Sequence, residues 1–149
     1  MAKIRLTKEF KFETAHALWD YDGLCKNIHG HSYMLFVTVI GEPISDKANP
    51  KYGMVMDFGQ LKNIVNTEIV NPLDHSVILN KRAPYGNLQN IEQMFDRIHI
   101  WEKQPTCENM VIDFAEKIKK QLPENVKLHA VKLHETATSY AEWFAEDNS

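Results

Sequence analysis

With 149 residues, the chain has the length of one ordinary domain. Its 17 Lys and Arg against 20 Asp and Glu leave a formal charge of −3, which gives no electrostatic case for wrapping nucleic acid or an anionic membrane. Hydrophobic residues make up 44% and charged ones 25%, the balance of a folded globular protein and not of a disordered chain.

Met1-Ala2-Lys3-Ile4-Arg5 is charged at once and no apolar run follows, so a secretory signal is not expected. The longest apolar run, Tyr33 to Gly41, is about half of the roughly 20 residues a bilayer-spanning helix needs. Only two cysteines occur, Cys25 and Cys107, which points to the reducing cytoplasm and two free thiols.

Residues Ile4 to Ala17 alternate, with Phe10, Phe12, Thr14 and His16 on one side and Lys11, Glu13 and Ala15 on the other. That period of two predicts a strand. His29 to Gly41, rich in β-branched and aromatic residues, predicts a second, joined to the first by the turn-rich Trp19-Asp20-Tyr21-Asp22-Gly23. Glu42 to Gly53 reads as loop, and Met54-Val55-Met56 as a short strand. Asp57 is suited to cap a helix carrying Leu61, Ile64, Val65 and Ile69, which Pro72 would end.

Asn80 to Gln104 is ambiguous: Ile91, Met94, Phe95 and Ile98 fit a helical face, while Arg97 to Glu102 also fits a short strand. Pro105-Thr106 opens a helix with Met110, Ile112, Phe114, Ala115, Ile118 and Leu122 mostly on one stripe, closed by Pro123. Val126 to Glu135 and Ser139 to Phe144 read as final strands. Two long hairpins with two intervening helices make an antiparallel α+β domain, over residues 1–149.

The strongest chemical feature is Cys25-Lys-Asn-Ile-His29-Gly30-His31. On a strand, residues i and i+2 point the same way, so His29 and His31 offer two imidazoles side by side. His16, near the end of the preceding strand, can face them across the ladder. Three neutral imidazoles without a fourth protein ligand form the pattern of an open zinc site. Such a site acts as a Lewis acid and lowers the pKa of a bound hydroxyl. The alternative is three ordinary strand-end histidines.

Cys25 beside a dication could serve as base or nucleophile, or could be a small buried hydrophobe. Asp74-His75 follows the first helix. Adjacent side chains diverge in extended chain, but a turn could join them into a proton carrier; otherwise Asp74 caps a turn. Glu135, at a strand end, could accept two parallel N–H donors from a guanidine-like heterocycle edge, or lie free on the surface. Glu108 sits in the first turn of the second helix, where its charge suits the helix dipole, and Thr106 is suited to be the N-cap. His99, His129 and His134 read as structural, and Lys119-Lys120 as a solvated helix face.

These motifs occur together in one order: His16; Cys25-x-x-x-His29-Gly30-His31; Gly53-Met-Val-Met-Asp57-Phe58; Leu73-Asp74-His75; Pro105-Thr106-x-Glu108-Asn109; His134-Glu135-Thr136. In this the chain resembles the 6-pyruvoyltetrahydropterin synthase and 6-carboxytetrahydropterin synthase family across nearly its whole length. The resemblance implies the tunnelling fold, a four-stranded antiparallel sheet with two helices on one face. It also implies barrels formed by joined subunit sheets, commonly trimers stacked into hexamers.

By the same resemblance His16, His29 and His31 bind zinc, Cys25 is the catalytic base, and Asp74 and His75 complete a proton relay. Glu135 anchors the pterin ring, with Glu108 and Thr106 lining its pocket, while Asp57 remains a helix cap. The implied substrate is 7,8-dihydroneopterin triphosphate. The product is 6-carboxytetrahydropterin with acetaldehyde and triphosphate in the carboxy branch, which feeds queuosine, or 6-pyruvoyltetrahydropterin in the biopterin branch. A small Cys-containing chain without an N-terminal extension favours the carboxy branch. Two features depart from the family pattern: the stretch from Asn80 to Gln104 is longer than in compact members, and Cys107 fills a variable position and is assigned to packing.

Overall fold

The computed structural model describes residues 2–88 and 90–149; Met1 and Gln89, within two of the segments read above, lie outside them. Strand β1 (Ile4–His16) pairs antiparallel with β2 (His29–Gly41) in a register running from Ile4 opposite Gly41 to His16 opposite His29. Strand β2 continues antiparallel onto β5 (Val126–Thr136), and β5 onto β6 (Ser139–Phe144). These are the four expected strands.

Two short strands extend the sheet beyond these four, one of them unexpected and the other within the segment Arg97 to Glu102 that also fits a strand. Strand β3 (Ser76–Asn80) runs parallel to the end of β1, and β4 (Ile98–Trp101) runs parallel to β3. The sheet is therefore six-stranded, in the order β4-β3-β1-β2-β5-β6. Strand β3 is buried at four of its five positions, so it lacks the alternation that marks a one-sided strand. The ambiguous segment resolves into a tight turn at Tyr85–Asn87, one helical turn at Ile91–Met94, and β4.

Helix α1 (Phe58–Val65) is capped by Asp57, whose carboxylate accepts from the Gly59 N–H at 2.7 Å. The chain then widens into a π-turn over Asn66–Val70 and closes with a helical turn at Asn71–Leu73. The helical run thus ends one residue beyond Pro72, which occupies a first-turn position of that last segment. Helix α2 (Cys107–Lys119) is capped by Thr106, which accepts from the Asn109 N–H, and stops ahead of Pro123.

Phe10, Phe12, Tyr33, Leu35, Val37, Val131 and Leu133 on one sheet face form a single core with Leu61, Val65 and Ile69 of the first helical run and Met110, Phe114 and Ile118 of α2. The other face presents exposed Glu9, Lys11, Glu13 and Ser32. The expected strand at Met54-Val55-Met56 does not form; that stretch is bend and loop. Its Val55 and Met56 are buried all the same, because the loop folds under the sheet end. A Cβ at Gly41 would lie 2.9 Å from Val55 Cγ1 and 3.0 Å from the Asn125 carbonyl, so any larger residue there must displace the valine and press on the backbone. No helix among the described residues is long and apolar enough to cross a membrane.

Candidate functional site

The pairing of His16 with His29 at the open end of the β1–β2 ladder fixes the site. Both side chains lie on the core-facing side, and His31 follows two residues on. The three rings sit 4.5, 5.2 and 5.0 Å apart between centroids, and one nitrogen from each lies within 4.8 Å of the others.

Backbone carbonyls set the tautomers. His16 Nδ1–H donates to the Pro105 carbonyl at 2.7 Å, and His29 Nδ1–H to the Asn27 carbonyl at 2.7 Å. Both Nε2 atoms are then lone-pair acceptors, yet they face each other at 3.0 Å. Two acceptors at that separation repel unless a cation or proton lies between them. His31 Nε2 is buried with no hydrogen-bond partner. Burial, with the two neighbouring imidazoles adding to it, lowers His16 to about 4, so its ring is neutral near pH 7. Burial likewise lowers His31. Three converging imidazole nitrogens on this scale, with burial favouring the neutral form of His16 and His31, fit a divalent metal of imidazole preference.

Glu135 reaches the same cluster. Its Oε1 lies 3.3 Å from His16 Nε2 and 3.3 Å from His31 Nε2. A register shift between His134 and Thr136 leaves Glu135 unpaired with β6. Glu135 also borders a cleft of about 430 Å³ with Ser32, Met34, Phe36 and His134. It therefore stands between the histidine cluster and an open recess.

Asp74 and His75 are brought together. His75 adopts a left-handed φ of 57°, and Asp74 Oδ2 accepts from His75 Nδ1–H at 2.9 Å. Asp74 Oδ1 accepts from the Glu13 N–H at 2.8 Å, and the His75 N–H donates back to the Glu13 carbonyl. The Glu13 N–H first, with His75 also contributing, holds the Asp74 carboxyl below its ordinary range. His75 lines a shallow recess beside the histidine strand with Glu13, Gly30, His31 and Ser32.

Cys25 is exposed, which removes the buried-hydrophobe alternative. It sits in the single turn Leu24–Lys26 that leads into His29, and its carbonyl accepts from the Leu18 N–H. Thr106 spends its hydroxyl on the helix cap, while the adjacent Pro105 carbonyl orients His16. Glu108 is exposed on the first turn of α2. Cys107 is buried, and its thiol is pushed up to about 11 by burial, with the Glu135 and Glu108 carboxylates adding to the shift. Asp57 is the cap expected of it. Of the histidines read as structural, His99 bonds the Pro72 carbonyl and His134 packs on Tyr140.

One residue of this site escapes the sequence argument. Tyr33 continues the His29–His31 alternation, with its hydroxyl buried and without a hydrogen-bond partner. Burial first, then Glu135 and Cys107, raise its phenol well above the ordinary value. The period of two that pairs the histidines would have reached Tyr33, but an aromatic on a buried strand face reads as core.

Comparison with known proteins gives the family and the fold. Residues 5–146 match the family model described as 6-pyruvoyl tetrahydropterin synthase. A Haemophilus influenzae protein named 6-carboxy-5,6,7,8-tetrahydropterin synthase is 31% identical over 143 residues, covering 93% of this chain and 97% of that one. One of the same name from Aquifex aeolicus is 32% identical over 167 residues, covering 97% and 99%. A solved structure of Plasmodium falciparum 6-pyruvoyl tetrahydropterin synthase superposes with a TM-score of 0.72 at 20% identity, covering 96% of this chain and 98% of that one. Its likeness concerns the fold, and the six-stranded sheet found here is the tunnelling fold with its two short parallel strands included. With 142 of its 149 residues inside that model, the chain belongs to the 6-pyruvoyl tetrahydropterin synthase family.

Proposed function

We propose that this protein is a zinc-dependent 6-carboxy-5,6,7,8-tetrahydropterin synthase. It takes 7,8-dihydroneopterin triphosphate and one water to 6-carboxytetrahydropterin, acetaldehyde and triphosphate, within 7-deazaguanine and queuosine biosynthesis. The observation that carries the reading is the convergence of three imidazole nitrogens, two facing as lone pairs at 3.0 Å and one buried without a partner. The names of the Haemophilus and Aquifex relatives favour the carboxy product. The family description favours a second reading, 6-pyruvoyltetrahydropterin synthase in tetrahydrobiopterin biosynthesis.

His16, His29 and His31 would hold the metal. Bound there, zinc supplies Lewis acidity toward the side-chain hydroxyls of the substrate. Glu135, with two acceptor oxygens at the mouth of the cluster, takes the N–H edge of the pterin. Thr106 and Glu108, from the start of α2, line the same pocket. Cys25, as the thiolate, takes a proton from the substrate side chain and becomes the thiol. His75, with Nδ1–H committed to Asp74, keeps Nε2 free to accept or return a proton elsewhere. Triphosphate then leaves, and in the carboxy branch a carbon–carbon bond also breaks.

The chain works as one domain in the cytoplasm, within a trimer-based homo-oligomer, a hexamer, in which one copy's relay faces a neighbour's metal.

The test is incubation of the zinc-loaded protein with 7,8-dihydroneopterin triphosphate, with products read by mass spectrometry. Carboxytetrahydropterin with acetaldehyde is the expected result. Pyruvoyltetrahydropterin without acetaldehyde would move the protein to the second reading. Absence of turnover would overturn both.

A further inference from the structure

The helical run from Phe58 to Leu73 ends immediately before the Asp74–His75 pair. The last carbonyls of a helix have no partner within it. Here side chains from other strands meet them. The Leu73 carbonyl accepts from Thr14 Oγ1 at 2.8 Å and Ser76 Oγ at 2.6 Å. The Pro72 carbonyl accepts from His99 Nε2 at 2.7 Å and Arg97 Nη2 at 2.9 Å. The same Arg97 nitrogen donates to the Asn71 carbonyl, and Arg97 Nε donates to the Asp74 carbonyl at 3.1 Å.

One guanidinium thus ties together the carbonyls of residues 71, 72 and 74. Its planar fork suits such convergent acceptors, and a cation is favoured at the negative end of a helix. Arg97 is itself fixed, because the Val77 N–H donates to its carbonyl at 3.0 Å, next to the β3–β4 pairing. Beyond the clamped carbonyls, His75 takes its left-handed φ, a conformation uncommon for any residue but glycine. That turn alone lets neighbouring side chains meet. The Glu13 backbone holds the pair from the β1 side, and Arg97 holds the preceding backbone from the β4 side.

We propose that Arg97 is a positioning residue for the Asp74–His75 pair, with His99 as its support. It touches the backbone that presents the pair and no hydrogen bond joins it to either side chain. The proposal rests on the reading of Asp74 and His75 as the proton relay. It assigns the segment between Asn80 and Gln104 the task of buttressing that relay.

The experiment uses the full-length, metal-loaded protein as Arg97→Met, Arg97→Lys, His75→Gln and the Arg97→Met/His75→Gln double variant. Arg97→Met is expected to lower kcat by about 10- to 100-fold, the scale of a displaced catalytic group, while KM stays within about twofold. Arg97→Lys, which keeps the charge without the fork, recovers part of that loss. In the His75→Gln background Arg97→Met adds no further loss, since coupled residues are non-additive. A second readout is the ¹⁵N NMR signal of the His75 ring, which shifts in Arg97→Met away from the Nδ1–H tautomer.

Wild-type kcat together with an unchanged His75 spectrum in Arg97→Met would overturn the proposal. Full activity in His75→Gln would instead overturn the relay reading. The His75 spectrum then decides the positioning role by itself: a shift sustains it and none refutes it. Should Arg97→Met fail to fold, Arg97→Lys carries the same two readouts.

Discussion

Asp74 and His75 are sequence neighbours whose side chains meet at 2.9 Å because His75 takes a left-handed φ of 57°. The other Asp74 oxygen is held by the Glu13 N–H at 2.8 Å, so the carboxylate is fixed on both sides. An ionised acceptor on Nδ1–H fixes one tautomer and leaves Nε2 as the exchangeable position. Asp74→Asn should therefore lower kcat by about 10²–10⁴, the range for losing a positioned acid–base group, with pterin affinity retained. Steady-state kinetics beside equilibrium binding checks this. The stability effect has a definite sign. The folded carboxyl lies below its ordinary value of 3.8, so its stabilisation is present above that pH and is lost as pH falls through the lower folded value. Acid titrations of unfolding should show a shallower loss for Asp74→Asn in that window.

Glu135 gives a separable test. Its carboxylate stands 3.3 Å from two of the cluster nitrogens and also borders the recess. Glu135→Gln keeps the shape and removes the charge. Pterin affinity should fall by roughly 10- to 100-fold, as for loss of a charge-assisted hydrogen bond of about 1.5–3 kcal/mol. Metal content, measured by elemental analysis, should not change. Loss of metal together with pterin would instead make Glu135 a metal ligand.

Much of this site is legible in the sequence, for reasons that differ by residue. His29 and His31 follow from the strand period, and His16 from the hairpin register that the loop composition implies. Thr106 and Asp57 follow from capping chemistry. The Asp74–His75 contact is not legible, because it depends on one left-handed φ that histidine rarely adopts. Strand β3 is hidden and β4 only one of two readings of its segment, for another reason. They have five and four residues, and their parallel pairing with β1 and with each other is set by tertiary packing. Met54-Val55-Met56 fails in the opposite sense: burial without a ladder produces a strand-like pattern in a loop.

Gly41 makes a stability prediction free of catalysis. A Cβ there would meet Val55 Cγ1 at 2.9 Å and the Asn125 carbonyl at 3.0 Å. The valine can turn, but backbone must move to relieve the second contact. Gly41→Ala should destabilise the fold by about 1–3 kcal/mol, the usual cost of overpacking. Urea unfolding measures this. An unchanged midpoint would mean that the end of the sheet is looser than its packing implies.

Cys25 should behave in the opposite way. It is exposed, and its backbone carbonyl, which accepts from Leu18, does not depend on the side chain. Cys25→Ala should alter stability by no more than about 0.5 kcal/mol, as for surface substitutions, yet lower kcat by about 10²–10⁴ as the loss of a proton-transfer group. Thermal melting beside product formation checks both halves. Full activity on the pterin substrate would remove Cys25 from the mechanism.

The histidines divide by what each does besides pointing at the cluster. His31 Nε2 has no hydrogen-bond partner, so removing the ring orphans nothing that this atom satisfied. His16 is 1% exposed, and its Nδ1–H meets the Pro105 carbonyl just ahead of α2. His16→Ala leaves that carbonyl unpaired and opens a cavity beneath the helix start. Both variants should lose bound metal. Before metal is added, His16→Ala should be destabilised by at least about 1–3 kcal/mol for the unsatisfied carbonyl, while His31→Ala should stay close to the parent protein. Chelator-treated samples melted with and without added zinc make the comparison. The parent should gain stability with zinc and neither variant should, because an ion that binds only the folded state stabilises it in proportion to its affinity.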